Sequence, residues 1–195
     1  MKKTLIGAGL GFVLVLGGWY AFNSYKEDKT VTVKTTKHVA AKSVHKVSEL
    51  ELETAAKNFY EIEKHVKGDD IFYYGMITMA LQKLEFKGEI DYRLPNTPDS
   101  IQRIQLSREN LQYLKNKAKE ISASGPYPKI LDKWLKGDFS HIEKDYLTIR
   151  NLKGDPSQPS ESPVLKVRTT EEEEKYIQHF FGDEGLQKNK IDWLL

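Results

Sequence analysis

The alternation of apolar and polar residues divides the chain into an apolar first segment and a longer remainder with helical periodicity. Residues 4–25 form a run of 22 residues without a charged side chain. A helix of that length spans a hydrocarbon layer of roughly 30 Å. Lysines flank the run on both sides, and Trp19 and Tyr20 near its far end are typical of a membrane interface. We therefore expect residues 1–25 to be a single-pass transmembrane anchor.

Two alternative interpretations of this segment remain open. A cleavable signal peptide has a shorter apolar centre followed by small residues, whereas bulky rings occupy the equivalent positions here. A helix buried in a soluble core is the other alternative. If the segment is retained, Gly7 and Gly11 have the spacing of a helix-dimerisation motif, so the anchor would support weak homo-oligomerisation.

The lysines around the anchor give conflicting indications of its orientation. Lys2 and Lys3 precede it and more lysines follow it, which predicts that the C-terminal side is cytoplasmic. A short basic head before an apolar run is nevertheless the pattern of an export signal, and long following domains translocate largely regardless of charge. We expect a signal-anchor with a cytoplasmic N-terminus and an extracytoplasmic C-terminal domain at the cell membrane.

Residues 26–47 follow the anchor and have no apolar helical period. They are rich in lysine and contain neither glycine nor proline, which indicates an exposed tether. Its positive charge would also suit contact with anionic lipid head groups. The stretch "TVTVK" within it has the composition of a short edge strand.

Helical periodicity begins at Ser48, where "SELE" is a capping box with Glu51. Apolar residues then recur at spacings of three and four up to Val66. A second helix over residues 70–85 is apolar on most sides, so we expect it to be central, with Met76 and Met79 filling core gaps.

A third helix is predicted after a break that contains a short extended piece at Ile90, Tyr92 and Leu94. Thr97 followed by Pro98 and an acid is a strong helix start, and helical spacing of apolar residues continues to about residue 123. We expect this helix to be the longest in residues 48–195.

Three further elements complete the predicted domain. A short helix containing Trp134 ends at Gly137, and the capping box "SHIE", from Ser140, opens a helix to about residue 152. A short strand "VLKVR" precedes a final helix capped by Thr169 or Thr170. The expected fold is mainly α, with about five or six helices in residues 48–195 and at most a minor short β element.

Composition narrows the candidate functions. Without Lys2 and Lys3, the 30 basic residues fall to 28, which equals the 28 acidic ones, so the remainder has no net charge that favours nucleic acid. The absence of cysteine excludes disulfides, thiolate nucleophiles and iron–sulfur clusters. None of the five histidines has the spacing of a helical zinc site. The run of acids 171–174 is interpreted as a solvated first turn rather than a cation site.

The sequence therefore designates no catalytic, cofactor-binding or metal-ligating residue, and it implies no cofactor. His141, which lies between two acids, is interpreted as a helix-start residue.

Three stretches carry a resemblance to a known family: "MALQKL" (79–84), "PKILDKWLKGDFSHIEKDYLTIRNLKG" (128–154) and "TTEEEEKYIQHFF" (169–181). They resemble an uncharacterised family of small, N-terminally anchored proteins of Gram-positive, Bacillus-like bacteria. The family has an "ILxRWxxGDFS" box followed by "DHNxIWxLQ". This chain has Asp145, Tyr146 and Leu147 in place of Asp-His-Asn, and Arg150 in place of the downstream tryptophan. The resemblance supports the location and fold class, implies no activity, and favours a structural role for the box.

Three functional hypotheses follow. The first is a protein-interaction or structural module at the cell envelope, with aromatic side chains offered to an unknown partner: Trp134, Phe139, Phe180, Phe181 and Trp193. The second is an envelope hydrolase, which would show two or more acids with raised pKa values converging in a pocket. The third is a membrane-surface sensor or stress factor that acts through the lysines of the tether.

Overall fold

Six α-helices and one two-stranded sheet make up the part of the chain that the structure, a computed structural model, describes. The described residues are 45–95, 102–153 and 162–194, without the side chain of residue 194. The prediction of a mainly helical domain with a minor β element is confirmed for these residues. The predicted anchor, and all of the predicted tether except residues 45–47, lie outside them.

The elements follow one another with short connections. In chain order they are α1 (Glu49–His65), α2 (Asp70–Ala80), β1 (Leu84–Phe86), α3 (Arg108–Glu120), α4 (Tyr127–Leu135), α5 (Ile142–Arg150), β2 (Val164–Val167) and α6 (Thr170–Asn189), with a final π-helical turn, Lys190–Leu194. Helix α1 lies against α2 and α3, α3 against α4, and α2 against α5. None of the described helices combines the length and apolar character that a membrane span requires.

Helix α2 lies in the centre of the core. Met76 and Met79 are fully buried, which confirms their prediction as core residues. A Cβ atom at Gly75 would lie 2.6 Å from Cε1 of Phe59 in α1. The glycine therefore permits close packing of α1 on α2.

The starts of the first and last helices are those predicted from the sequence. Ser48 donates its backbone N–H to Glu51 Oε2 at 2.8 Å and accepts from the Glu51 N–H at 3.3 Å. Thr169 and Glu172 form the same reciprocal pair at α6. Thr169, rather than Thr170, is therefore the cap of α6.

The predicted end of the second helix is wrong, because α2 ends at Ala80 and a strand follows. Leu84 and Phe86 alternate towards the core and pair with Val167 and Val164 of β2 in antiparallel register. The predicted strand "VLKV" is thus confirmed as β2, and its partner is a segment that the helical period had absorbed.

The extended piece predicted at residues 90–94 is also wrong. Ile90 and Arg93 form an isolated bridge around Asp91 and Tyr92, both of which have positive φ. This geometry is a tight turn.

The third predicted helix begins about ten residues later than expected. The structure describes residues 102–107 as non-helical, and α3 starts at Arg108 with Ser107 as its cap. Ile104 and Leu106 alternate into the core, so this segment has the period of an extended chain. With 13 residues, α3 is shorter than α1 and α6, which have 17 and 20. The predicted start at residues 97–99 lies outside the described residues.

The predicted capping box at Ser140 is wrong as well. His141 occupies the cap position of α5 and makes no side-chain capping bond. The Ser140 hydroxyl instead donates to Asp138 Oδ1 at 2.6 Å. Gly137 ends the preceding helix region with a φ of 74°, as its position in the sequence predicts.

Candidate functional site

A pocket of about 750 Å³ lies between α1, the non-helical segment 103–105, α3 and α6. Its volume is within the range of pockets that hold small ligands or protein side chains. The residues that line it are Thr54, Asn58, Arg103, Ile104, Gln105, Glu109, Asn110, Phe180, Phe181, Glu184, Gly185 and Lys188. Two smaller depressions, of about 420 and 560 Å³, lie along α1 and α3.

A kink in α6 places residues from both of its halves around the pocket. Gly182 has φ 64° and ψ −161°, a conformation open to glycine but strained for other residues. Phe180 and Phe181 precede the kink, and Glu184 and Lys188 follow it. The change of direction brings aromatic and charged side chains of one helix to the same pocket.

Amide side chains fix the wall opposite α6. Asn58 Nδ2 donates to Asn110 Oδ1 at 3.1 Å, and Asn110 Nδ2 donates to the Gln105 carbonyl at 2.8 Å. Gln105 Nε2 then donates to the Gly185 carbonyl at 2.7 Å. These bonds tie α1, α3 and α6 to the non-helical segment, so the pocket has a preformed backbone frame.

Lys188 is the counter-ion of three carboxylates at one end of the pocket. Its ammonium pairs with Glu109, with Glu51 at 2.6 Å and with Asp192 at 3.8 Å. Burial opposes its charge, but its hydrogen bonds with Glu109 and Glu51 outweigh burial and raise the pKa of Lys188. Burial raises the pKa of Asp192, although the Arg108 N–H and Lys188 act in the opposite direction.

Arg103 is the other cation that lines the pocket. Its Nη2 donates to the Tyr92 carbonyl at 2.8 Å, and its guanidinium lies 5.0 Å from the ring centroid of Phe180. Its Nη1 is buried without a hydrogen-bond partner. Among the described residues, no carboxylate forms an ion pair with Arg103.

Behind Phe180, Tyr92 and Tyr176 extend the aromatic cluster towards Arg168. The Tyr176 ring centroid lies 4.7 Å from that of Phe180 and 5.3 Å from that of Tyr92. The Arg168 guanidinium covers both tyrosine rings and pairs with Glu89. Burial raises the pKa of Tyr176 to about 12, against the positive charges of Arg103 and Arg168.

Glu173 corrects the interpretation of residues 171–174 as a solvated acidic turn. Glu171 pairs with Lys175 on the surface at 2.8 Å. Glu173 is buried, pairs with Lys83 at 2.8 Å and accepts from Gln82 Nε2 at 2.7 Å. It is a structural anchor of α6, because its position three turns into the core side is fixed by these contacts rather than by the dipole of its own helix.

The aromatic residues proposed from the sequence as partner surface fall into three environments. Trp134 is fully buried, and its Nε1 donates to Asp145 Oδ2 at 2.9 Å. Phe139 packs edge-on against Trp193, with ring centroids 5.0 Å apart. Phe180 and Phe181 line the pocket.

Sequence reasoning missed Arg103, Arg168 and Gln82. Arg103 precedes Ile104 in "QRIQL", and a charge within such an alternating apolar segment was the available signal. Gln82 is fully buried, although its sequence neighbours gave no indication of a hydrogen-bonding role. Of the box shared with the family resemblance, Ile130, Leu131 and Trp134 are core residues, which agrees with a structural role.

The five histidines do not gather in the described residues. His45 Nε2 lies 2.9 Å from Glu51, while His141 and His179 are exposed on other helices. Within the described ranges, no group of three histidine or acidic side chains has the arrangement of a metal site.

Comparison of the chain with known protein families, with curated proteins and with solved structures gives no significant match. The family resemblance stated from the sequence therefore stays a prediction.

Proposed function

We propose that this chain is a membrane-anchored, extracytoplasmic protein-interaction module whose binding site is the pocket between α1, α3 and α6. The observation that carries the proposal is the joint placement of Phe180, Phe181 and Arg103 at a pocket of about 750 Å³. Aromatic and arginine side chains in a concave site are the groups that contribute most to protein interfaces. The preformed amide wall lowers the entropic cost of binding.

The charges of the pocket support binding rather than hydrolysis by paired carboxylates. Glu109 is neutralised by Lys188, and Asp192, whose pKa burial raises, accepts the Arg108 N–H at 2.8 Å instead of facing the pocket. A hydrolase of this kind needs two acids free to exchange protons with a substrate. Glu184 is the remaining acid of the lining, and it is exposed.

Site-specific photo-crosslinking tests the proposed site. A photoreactive phenylalanine derivative replaces Glu184, which lines the pocket and is exposed, in the full-length protein in cells. Lys144 on α5, which is also exposed and does not line the pocket, is the matched control position. We expect a discrete crosslinked species from position 184 and none from position 144, because a bound partner contacts the pocket only.

Equal crosslinking from both positions, or none from position 184 and from a second pocket position at Thr54, would contradict a partner-binding pocket. Both variants are first checked for native helical content by circular dichroism.

Protease shaving of intact cells tests the anchored, extracytoplasmic location. We expect the added protease to remove residues 45–195 while a fragment containing residues 1–25 stays with the membrane. Full protection in intact cells, with digestion only after lysis, would place the domain on the cytoplasmic side.

A further inference from the structure

Three buried hydrogen-bond donors without a partner lie in the aromatic cluster behind the pocket. They are Arg103 Nη1, Arg168 Nε and the Tyr176 hydroxyl. The two other such atoms in the described residues, Glu109 Oε2 and Asp192 Oδ1, face the ammonium of Lys188. Buried polar groups in folded proteins normally have partners, so three donors without an acceptor indicate a missing acceptor.

The three donors belong to one small region. Arg103 lies over the Phe180 ring, Phe180 packs on Tyr176, and Arg168 lies over Tyr176 at 5.3 Å from its ring centroid. The charges of both arginines act on the Tyr176 hydroxyl and oppose the rise of its pKa, which is consistent with two guanidinium groups near that oxygen.

The two arginines differ in how their charge is balanced. Arg168 pairs with Glu89, and Glu85 lies 3.9 Å from its Nη1. Arg103 has a backbone carbonyl on Nη2 and, among the described residues, no carboxylate within ion-pair distance. The pocket therefore has an uncompensated positive charge beside Phe180, while its other end is neutralised around Lys188.

We propose that the partner inserts a carboxylate next to an apolar side chain, and that Arg103 Nη1 and the Tyr176 hydroxyl donate to this carboxylate while Phe180 and Phe181 contact the apolar group. This inference rests on the proposed function, and it specifies the partner as an acidic peptide segment. Arg168 acts as a positioning residue, because its guanidinium holds the rings of Tyr92 and Tyr176 in place. Arginine suits this role since its planar guanidinium donates several hydrogen bonds to one carboxylate.

Two peptides of equal shape and different charge test the proposal. The probes are N-acetyl-Phe-Glu amide and N-acetyl-Phe-Gln amide, titrated into the domain of residues 41–195 while amide chemical shifts are recorded. This part of the chain forms a single structural unit. We expect the acidic peptide to bind about tenfold more tightly than its amide analogue, the factor that one charge-assisted hydrogen bond supplies. The shifts should cluster on residues 103–110 and 180–188.

Variants assign the preference to one side chain. Arg103→Gln should remove the difference between the two peptides and leave binding of the neutral peptide unchanged. Arg93→Gln, which removes one guanidinium from an exposed position of the 90–93 turn, should retain the difference. Since Arg103→Gln risks misfolding, Arg103→Lys is measured as well, and it should reduce the preference while keeping the charge.

The outcomes separate this inference from the proposed function. Equal binding of both peptides to the pocket would overturn carboxylate recognition and leave a partner-binding pocket standing. Shifts from neither peptide, together with a crosslink from position 184, would overturn the acidic-peptide inference alone. Equal binding of acetate and the acidic peptide, each lost in Arg103→Gln, would show a simple anion site and also overturn it.

Discussion

At the scale of single residues, buried polar side chains hold separate parts of the chain together. Gln82 is fully buried, accepts the Leu106 N–H at 3.0 Å, and donates to Glu173 and to Asn189. Its three contacts come from the non-helical segment and from both ends of α6. A buried polar group is costly unless it is fully bonded, so such a residue specifies one arrangement of its neighbours.

Replacing Gln82 by alanine tests this role. We expect Gln82→Ala to lower the free energy of unfolding by about 3 kcal/mol, because a cavity forms and the Leu106 N–H loses its acceptor. Urea denaturation measures the change. Gln187→Ala, at an exposed position of α6, is the control and should change stability by less than about 0.5 kcal/mol. A loss at Gln82 no larger than the control would refute the structural role.

At the scale of elements, helix starts and kinks connect local sequence to packing. Glu51 completes the capping box of α1 and also pairs with Lys188 of α6. Burial raises its pKa, but the bonds from Lys188, Ser48 and His45 outweigh burial and lower the pKa of Glu51 from 4.5 to about 2. One residue thus joins the start of the first helix to the end of the last.

The lowered pKa of Glu51 predicts a pH dependence of stability. A carboxyl group with a depressed folded-state pKa stabilises the protein above about pH 4.5, and this contribution is lost as the pH falls towards 2. Because Glu51 is partly exposed, we expect a contribution of about 1 kcal/mol. Glu51→Gln keeps a residue suited to the capping box, so its unfolding free energy should fall less than that of the native protein over this pH range. Parallel pH curves for the two proteins would contradict the prediction.

The kink at Gly182 gives a second prediction at this scale. A Cβ atom there would meet nothing within 4 Å, so a substitution acts through backbone strain alone. We expect Gly182→Ala to lower the free energy of unfolding by about 1–2 kcal/mol. Thermal denaturation measures this loss, and Asp183→Ala at the next, exposed position serves as the control. A stabilised Gly182→Ala variant would show that α6 is straight in solution.

The local patterns predicted some elements and missed others for identifiable reasons. The capping boxes at Ser48 and Thr169 are complete within four residues, so the sequence alone located both helix starts. The start of α3 and the strand β1 depend on partners distant in sequence. Leu84 pairs with Val167, and the Leu106 N–H bonds to Gln82. Periodicity alone therefore assigned both regions to helix.

At the scale of the whole molecule, the C-terminal turn closes the fold over the non-helical segment. Trp193 Nε1 donates to the Leu106 carbonyl at 3.0 Å, and Arg108 lies 4.7 Å from its ring. Asp192 Oδ2 accepts the Arg108 N–H at 2.8 Å at the start of α3. The last turn thus satisfies backbone groups that the segment 102–107 cannot bond within itself.

Removing the Trp193 side chain tests this closure. We expect Trp193→Ala to lower the free energy of unfolding by about 3 kcal/mol, as large aromatic truncations do. Hydrogen exchange should show faster exchange at residues 104–110, while the amides of α5 keep their relative protection. Ile191→Ala is the control, since Ile191 is exposed. Unchanged exchange at residues 104–110 would contradict a closing role.

The sequence by itself determined the helical class of the domain, the capped starts of α1 and α6, the core positions of Met76, Met79 and Trp134, and the position of β2. These features depend on residues close together in the chain, where periodicity and capping act. Only the tertiary structure decided the pairing of β1, the late start of α3, the burial of Glu173 and the meeting of Arg103 with Phe180. Those features arise because residues far apart in sequence supply hydrogen bonds, counter-charges and contact surface that no local pattern contains.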